Sequence, residues 1–185
     1  MNIAPSILLL SVGLLLVGCG EPVADVAKPQ SYEKGGLKFR YPGNWKIAED
    51  EDLGEGVRHL SVETGGDALV VVQLFPMASA HSLEDYARAF STETAAALPI
   101  GKMMGSKFTP LAEADGFARL QENCTLQLLG EKIPHVRYYL SRDFGELRWF
   151  LICQVADEDL QQVTDGFKQV AASLSVALPA AGTAP

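Results

Sequence analysis

The chain has 185 residues, and its 15 Lys and Arg against 23 Asp and Glu give a formal net charge of −8 at pH 7. An acidic chain of this kind lacks the basic surface that nucleic acid requires, so we expect no nucleic-acid partner. Hydrophobic residues make up 48% of the sequence, which argues against disorder and supplies one domain with a substantial core.

The N-terminus resembles the signal sequence of a bacterial lipoprotein. Residues 7–17 are almost wholly aliphatic and end in the motif Leu16-Val17-Gly18-Cys19. The run is too short for a spanning helix, which needs about 20 residues, and its position is typical of a secretory signal. The motif resembles the bacterial lipobox, although residues 1–6 lack the usual Lys or Arg. A buried core helix and an ordinary secreted protein cut in this region are the alternatives.

The lipobox resemblance implies where the protein is located. Residues 1–18 are then a signal peptide, and Cys19 is the lipidation site that anchors the protein to a membrane. This anchor implies the periplasmic side of the bacterial cell envelope. Residue 20 is Gly rather than Asp, which by resemblance to proteobacterial lipoproteins favours the outer membrane over the inner one. Residues 19–31 contain two prolines and predict a tether that reaches about 40 Å when extended.

The remaining sequence predicts a single α+β domain over residues 32–176. Alternating apolar residues and turn signals predict strands, and apolar residues at helical spacing predict two main helices. Ser82 is predicted to begin the first helix, and acidic residues follow it in the first turn. The predicted strands are residues 36–41, 45–48, 57–63, 68–75, 116–128, 132–142 and 146–155, and the predicted helices are residues 82–98 and 157–174. Residues 99–107 predict a surface loop with an apolar tip at Met103-Met104, and residues 177–185 predict a disordered tail.

Residues 36–47, with the sequence GLKFRYPGNWKI, resemble the opening hairpin of PsbP-like domains. In this interpretation Pro42-Gly43-Asn44 forms the hairpin turn, and Trp45 anchors the core where the second strand begins. The resemblance extends over most of residues 32–176. It implies an antiparallel sheet of about six strands packed with two main helices. Members of the group are typically non-catalytic assembly or binding proteins, and no functional residue of the group can be carried over to this chain.

The sequence shows no constellation of catalytic or metal-binding residues. His59, His81 and His135 are not at metal-ligand spacing from one another or from a Cys pair. His81 precedes Ser82, but helix capping explains that serine better than a nucleophile does. The acidic run of residues 49–52 is interpreted as a solvated charge run. We therefore expect no enzyme activity, no catalytic residue, no metal and no cofactor.

The two cysteines after Cys19 are predicted to be free and buried. In an oxidising compartment a disulfide is the default expectation. Aligning the apolar faces of the last three strands pairs Cys124 with Val136 and Val136 with Cys153. The cysteines would then share one face two strands apart, about 9.6 Å from each other, which is too far for a disulfide.

The same alignment predicts a polar face on these three strands. Two interpretations remain open: a surface for a ligand or partner on an otherwise acidic protein, and an ordinary sheet face paired with nearby acids. The candidate residues for a ligand or partner are Arg119, Gln121, Asn123, His135, Arg137, Tyr139 and Arg148, and Thr125, Phe150 and Ile152 fall on the same predicted face.

Three functions are consistent with these patterns. The leading one is a membrane-tethered periplasmic lipoprotein that acts as a non-catalytic binding or assembly domain, with an envelope protein of unknown identity as its partner. The alternative is a carrier of a small anionic ligand that uses the arginine-bearing sheet face. A hydrolase of the envelope is the third, and it would need a convergent site that the sequence does not reveal.

Overall fold

The computed structural model describes residues 21–176. The predicted signal peptide, Cys19 and the predicted disordered tail lie outside these residues. The described part contains two α-helices and ten β-strands, an α+β composition as predicted. The strands are β1 (Gln30–Lys34), β2 (Leu37–Tyr41), β3 (Lys46–Gly54), β4 (Val57–Glu63), β5 (Leu69–Pro76), β6 (Lys102–Ala114), β7 (Phe117–Leu128), β8 (Glu131–Phe144), β9 (Leu147–Ala156) and β10 (Ser175–Val176). The helices are α1 (Leu83–Ala97) and α2 (Leu160–Ser173), and a 3-10 turn, Asp157–Asp159, leads into α2.

The strands form two antiparallel sheets. This corrects the prediction of a single sheet of about six strands. The large sheet has seven strands in the order β3-β4-β5-β9-β8-β7-β6, and the small sheet has the order β1-β2-β10. The small sheet and α2 cover one face of the large sheet, where they share its main core. Helix α1 covers the other face with a second, smaller core. We call these two faces the α2 face and the α1 face.

The predicted opening hairpin is wrong, because its two strands belong to different sheets. Strand β2 lies in the small sheet and β3 lies at the edge of the large sheet. Pro42-Gly43-Asn44 therefore carries the chain from one sheet to the other. Trp45 is buried at this crossing, and its ring centroid lies 5.9 Å from that of Phe167 on α2. The core role predicted for Trp45 is confirmed.

Helix α1 begins where its capping signal predicts. The Ser82 side chain accepts a hydrogen bond from the backbone N–H of Asp85, at 3.1 Å, which satisfies one of the free donors of the first turn. Within residues 21–176 no helix is both long enough and apolar enough to span a membrane.

The predicted loop at residues 99–107 is wrong over most of its length, because residues 102–114 form the edge strand β6. The strand pairs with β7, and its register shifts between Met104 and Lys107. Gly105 lies in this irregular stretch with a φ of 69°, and Pro110 further along lacks an N–H for pairing. Both residues are tolerated at the edge of a sheet, where one side of the strand is unpaired. The loop was predicted from Pro99, Gly101 and Gly105, which favour turns over strands.

The predicted tether also needs correction, because residues 21–29 pack along the domain and residues 30 and 31 belong to β1. The backbone N–H of Ala24 donates to the carbonyl of Gln162, and the N–H of Gly43 donates to the carbonyl of Asp25, both at 2.9 Å. Backbone groups that are paired in this way do not extend freely into solvent. Any spacer between Cys19 and the domain is therefore much shorter than predicted.

An ion cluster joins the small sheet to the large one. Asp50 on β3 accepts from Lys34 of β1 and from Arg58 of β4, each at 2.6 Å. Arg58 also donates to the hydroxyl of Tyr32. The Asp50 side chain is only 19% exposed. The prediction that residues 49–52 form a solvated charge run is therefore wrong for Asp50. Burial favours a higher pKa for Asp50, but the hydrogen bonds from Lys34, Arg58 and Tyr32 outweigh it and lower the pKa from 3.8 to about 2.

This cluster predicts acid sensitivity at one position. Since the pKa of Asp50 is lower in the folded state, its contribution is complete above about pH 4 and is lost as the pH falls towards 2. The lowering of the Asp50 pKa corresponds to a contribution of about 2 kcal/mol to the free energy of unfolding at neutral pH. We therefore expect Asp50→Asn to lower the free energy of unfolding by about 2 kcal/mol at pH 7, measured by urea denaturation. The gap between variant and wild type should narrow as the pH approaches 2.

The matched control is Glu51→Gln on the same strand, since Glu51 is exposed. Its effect should stay within about 0.5 kcal/mol at every pH. A stability gap for Asp50→Asn that is the same at pH 7 and pH 2 would contradict the electrostatic account.

Candidate functional site

The strand register separates the predicted site residues onto two faces. Cys124 lies opposite His135 rather than Val136, and Cys153 lies opposite Tyr138 rather than Val136. The error for β9 is two positions, which keeps its side chains on the predicted side, but the error for β7 is one position, which reverses them. As a result Arg119, Gln121 and Asn123, together with Thr125, lie on the α2 face, whereas His135, Arg137, Tyr139 and Arg148 lie on the α1 face.

The physical reason is that both faces of the sheet are covered. The apolar residues of β8 at Val136 and Tyr138 join the core of the α2 face. The apolar residue Leu120 of β7 joins the core of the α1 face. Aligning the apolar residues of neighbouring strands on one side therefore fails, because each side of this sheet has its own core.

A buried polar cluster lies under α1 and contains two of the predicted site residues. Glu122 is 0% exposed and Arg137 is 3% exposed. The carboxylate of Glu122 accepts from the hydroxyl of Ser91 at 2.5 Å, from the hydroxyl of Tyr139 at 2.7 Å and from Arg137 at 3.4 Å. Arg137 Nε also donates to Gln154 at 2.5 Å. We call these five residues the Glu122 cluster.

The Glu122 cluster satisfies its own charges. The anion Glu122 has three donors around it, and the cation Arg137 has two acceptors and the ring of Phe90, whose centroid is 5.8 Å from the guanidinium carbon. Burial raises the pKa of Tyr139 well above its ordinary value, so its hydroxyl stays protonated and donates to Glu122. This arrangement neutralises Arg137 inside the protein rather than offering it to an anionic ligand.

A groove of about 570 Å³ lies between α1 and β6, beside the cluster. Ser91 connects the two, because its hydroxyl lies 2.5 Å from Glu122 and 3.5 Å from the hydroxyl of Ser106. The guanidinium of Arg88 lies over the Phe108 ring at 4.7 Å. The lining residues include Arg88, Ser91, Thr92, Met103, Ser106 and Phe108.

The groove was not predicted from the sequence, because residues 99–107 were interpreted as a loop. Glu122 was not predicted either, since an acidic residue in a strand suggests the solvent side. A signal was present: Glu122 alternates with Leu120 and Cys124 on one side of β7, and all three are buried. An acid within such an apolar alternation indicates a buried ion pair.

The other predicted arginines differ from each other in their surroundings. Arg148 forms two hydrogen bonds to the carboxylate of Asp143, at 2.6 and 2.9 Å, and a third to the carbonyl of His81. Hydrogen bonding to Arg148 lowers the pKa of Asp143 and in turn raises that of Arg148. Arg119 is half-buried on the α2 face of β7, beside Tyr138. The three predicted arginines, Arg119, Arg137 and Arg148, therefore do not form one surface.

A second buried polar chain crosses the α1 face from β3 to α1. His59 is fully buried, and its ring lies 3.2 Å from the Glu49 carboxylate and 2.9 Å from the Gln73 amide. Gln73 then accepts from the hydroxyl of Tyr86 at 2.6 Å. Both ring nitrogens of His59 are engaged, so the chain fills the interior with paired polar groups. Within residues 21–176 no three His, Cys, Asp or Glu side chains are grouped to hold a metal ion.

The prediction that Cys124 and Cys153 are free and buried is confirmed. The reason differs from the one expected, since the two thiols lie on opposite faces of the sheet. Burial raises the pKa of Cys124 to about 11 and raises that of Cys153 further. Both thiols are therefore protonated at neutral pH and poorly reactive.

Comparison with known proteins identifies the fold. No protein-family model matches the sequence, and no curated protein matches it. The structure is similar to that of cyanobacterial PsbP from Synechocystis sp. PCC 6803, with a TM-score of 0.53 and 17% identity over 88% of this chain and 99% of that one. It also aligns with LpqN of Mycobacterium tuberculosis, described as involved in cell envelope biogenesis, with a TM-score of 0.41 and 10% identity over 82% of this chain and 90% of that one. The first similarity confirms the PsbP-like fold that residues 36–47 suggested.

Proposed function

We propose that this protein is a lipid-anchored lipoprotein of the bacterial cell envelope whose domain acts by binding or assembly rather than by catalysis. The anchor is Cys19 in the motif Leu16-Val17-Gly18-Cys19, and the domain lies on the periplasmic side of the membrane. Gly20 favours the outer membrane as the destination. The partner is an envelope protein.

One observation carries the non-catalytic part of the proposal. The two fully buried polar groups of the described domain that could do chemistry, Glu122 and His59, are occupied by neighbouring side chains. Glu122 is held by three donors from its own chain, and His59 is held through both ring nitrogens. A general base or nucleophile needs a free position next to a substrate, and neither group offers one.

The same geometry weakens the case for a carrier of anionic ligands on the arginine-bearing face. Arg137 is buried and paired with Glu122, and Arg148 is paired with Asp143. Only Arg119 of the three retains a partly exposed position without an ion pair among residues 21–176. A single guanidinium with the neighbouring amides of Gln121 and Asn123 is more suitable as part of a protein contact.

The anchor can be tested by mass. The protein is produced in a native host with its own signal, extracted from membranes with detergent, and measured intact. We expect a chain that begins at Cys19 and carries three acyl groups, and we expect Cys19→Ser to retain its leader without acyl groups. An unacylated wild-type product, or one shed into the medium, would contradict the proposal.

The binding role is tested separately by crosslinking in intact cells and by turnover assays on the purified protein. We expect one envelope protein to be crosslinked reproducibly and to be lost when two residues of the α2 face, the half-buried Arg119 and the exposed Asn123, are both replaced by alanine. Turnover of a substrate by the purified protein, without a crosslinked partner, would favour an enzyme instead.

A further inference from the structure

The two ends of the large sheet differ in the chemistry of their turns. Antiparallel pairing places the turns β3–β4, β6–β7 and β8–β9 at one end, and the turns β4–β5 and β7–β8 at the other. The first end carries acidic residues at its turns: Glu55, Asp115 and Glu146. The second end carries Leu129 at the tip of β7–β8 and receives the loop before β6, which contains Ile100. We call them the Glu55 end and the Leu129 end.

The chain enters the domain at the Leu129 end. Glu21 is 4% exposed, and its carboxylate accepts from the backbone N–H of Ala68, at 3.0 Å, where β5 begins. Its own N–H donates to Asp159 at 3.1 Å. Only Gly20 lies between this fixed residue and Cys19, and two Cα–Cα steps span at most about 8 Å. A lipid on Cys19 would therefore hold the Leu129 end at the membrane surface.

An exposed apolar tip lies at this same end. The side chain of Leu129 is 76% exposed and that of Ile100 is 52% exposed. The two loops touch, since a Cβ added at Gly101 would lie 2.7 Å from Cδ2 of Leu128. Single exposed apolar residues are ordinary on protein surfaces, but adjoining ones indicate a contact site. We define the apolar tip as Ile100, Leu128 and Leu129.

The backbone of Leu129 supplies an independent reason to assign a role to its side chain. Three two-residue turns among the described residues place a non-glycine residue at positive φ before a glycine: Glu55 (52°), Asp115 (53°) and Leu129 (51°). Asn, Asp or Gly is favoured at that position, and Leu is disfavoured. Leu129 is thus the residue least suited to its turn and also the most exposed large hydrophobic residue described, which points to a function outside the fold.

The two lysines nearest the tip fit the interface of a bilayer. Lys102 and Lys132 are both exposed. They pair with Gln127 of β7 from its two sides, Lys102 on β6 and Lys132 on β8, directly behind the tip. Lysines beside exposed aliphatic residues reach the lipid headgroups while the aliphatic groups enter the layer below. The acids of this end are Glu131 beside the tip, Glu63, which is paired with Lys46, and Asp67 and residues 157–159 on the side of Glu21. Residues 157–159 follow β9, the neighbour of β8, and the carboxylate of Asp67 lies 3.4 Å from the ring of His135 on β8.

We propose that the apolar tip inserts into the interface of the same phospholipid bilayer that anchors Cys19, and this proposal rests on the anchor proposed above. The lipid chain and the tip then form two contacts, separated by two to three strand spacings or about 10–15 Å. Two contacts fix the orientation of the domain. The Glu55 end is directed away from the membrane, towards the periplasm.

The test uses the acylated full-length mature protein in vesicles of phosphatidylethanolamine and phosphatidylglycerol. Ile100→Cys, Leu129→Cys and Leu53→Cys are each labelled with a polarity-sensitive fluorophore. Leu53 is the matched control, because it is 42% exposed and lies at the Glu55 end. Cys124 and Cys153 are buried, so we expect neither to take the label in the folded protein. Intact mass confirms acylation, and thermal melts confirm that each variant is folded.

We expect the labels at positions 100 and 129 to shift to the blue and to be quenched by nitroxide groups carried on the lipids, with no change at position 53. Water-like emission at position 129 in acylated, vesicle-bound protein would overturn the tip contact and leave the anchor intact. Shielded labels that lipid nitroxides do not quench would show that a second copy or another protein covers the tip, which also overturns the proposal. A mass without acyl groups would reject both the anchor and the tip contact.

Discussion

Replacing Glu122 by leucine is expected to lower the free energy of unfolding by about 3–5 kcal/mol, because the cation Arg137 would then stay buried without its counterion. Arg137 is 3% exposed and keeps only the amide of Gln154 as a side-chain acceptor. The measurement is urea denaturation at pH 7 followed by circular dichroism. This is the largest effect we expect from a single substitution in the Glu122 cluster.

A double variant separates the charge from the packing. Glu122→Leu with Arg137→Met removes both charges, and we expect it to recover most of the stability that the single variant loses. Glu131→Gln is the control, since this glutamate is the first residue of β8 and is exposed. If Glu122→Leu costs less than about 1 kcal/mol, the ion pair is not holding the cluster.

Trp45→Ala is the second substitution with a large expected effect, about 3–5 kcal/mol, because it removes a fully buried ring where the chain passes between the sheets. The ring fills the space against Phe167 and Gly166 of α2. A Cβ added at Gly166 would lie 2.5 Å from Cη2 of Trp45. The close approach explains why a glycine stands in the middle of the helix.

The contact between these two residues can be measured by coupling. Gly166→Ala should destabilise the wild type by about 1–3 kcal/mol through overpacking, although helix propensity alone would stabilise it by about 1 kcal/mol. In the Trp45→Ala background that penalty should shrink or reverse. Additive effects of the two substitutions would mean that the ring does not set the residue at position 166. Gln161→Ala, at an exposed position of α2, serves as the control.

Local signals in the sequence were sufficient for some elements of the fold. Strand β4 has the predicted bounds, residues 57–63, and α1 starts after its Ser82 cap. Such signals depend on neighbouring residues only. Pro42-Gly43-Asn44 was recognised as a turn, but these residues do not determine whether the strands before and after them pair with each other. For that reason the separation into two sheets could not be predicted.

The candidate site depended on long-range pairing and was predicted less well. Arg137 and Tyr139 were chosen correctly as neighbours on one side of β8, since side chains alternate along a strand. Their partner Glu122 lies on another strand. The error of one residue in the predicted register of β7 placed Glu122 on the opposite face of the sheet from them. Sequence pattern alone could not show that Arg137 is neutralised within the protein.

The two outer strands of the large sheet have a consequence for how copies of the protein behave when crowded. Strands β3 and β6 each have one unpaired side, which could recruit another chain and start aggregation. Strand β3 carries the acids of residues 49–52, so two such edges repel one another. Strand β6 contains Pro110 and an irregular stretch at Gly105, which interrupt any continuous ladder of intermolecular hydrogen bonds. The sheet is therefore protected against growing by edge-to-edge addition, even at high local concentration.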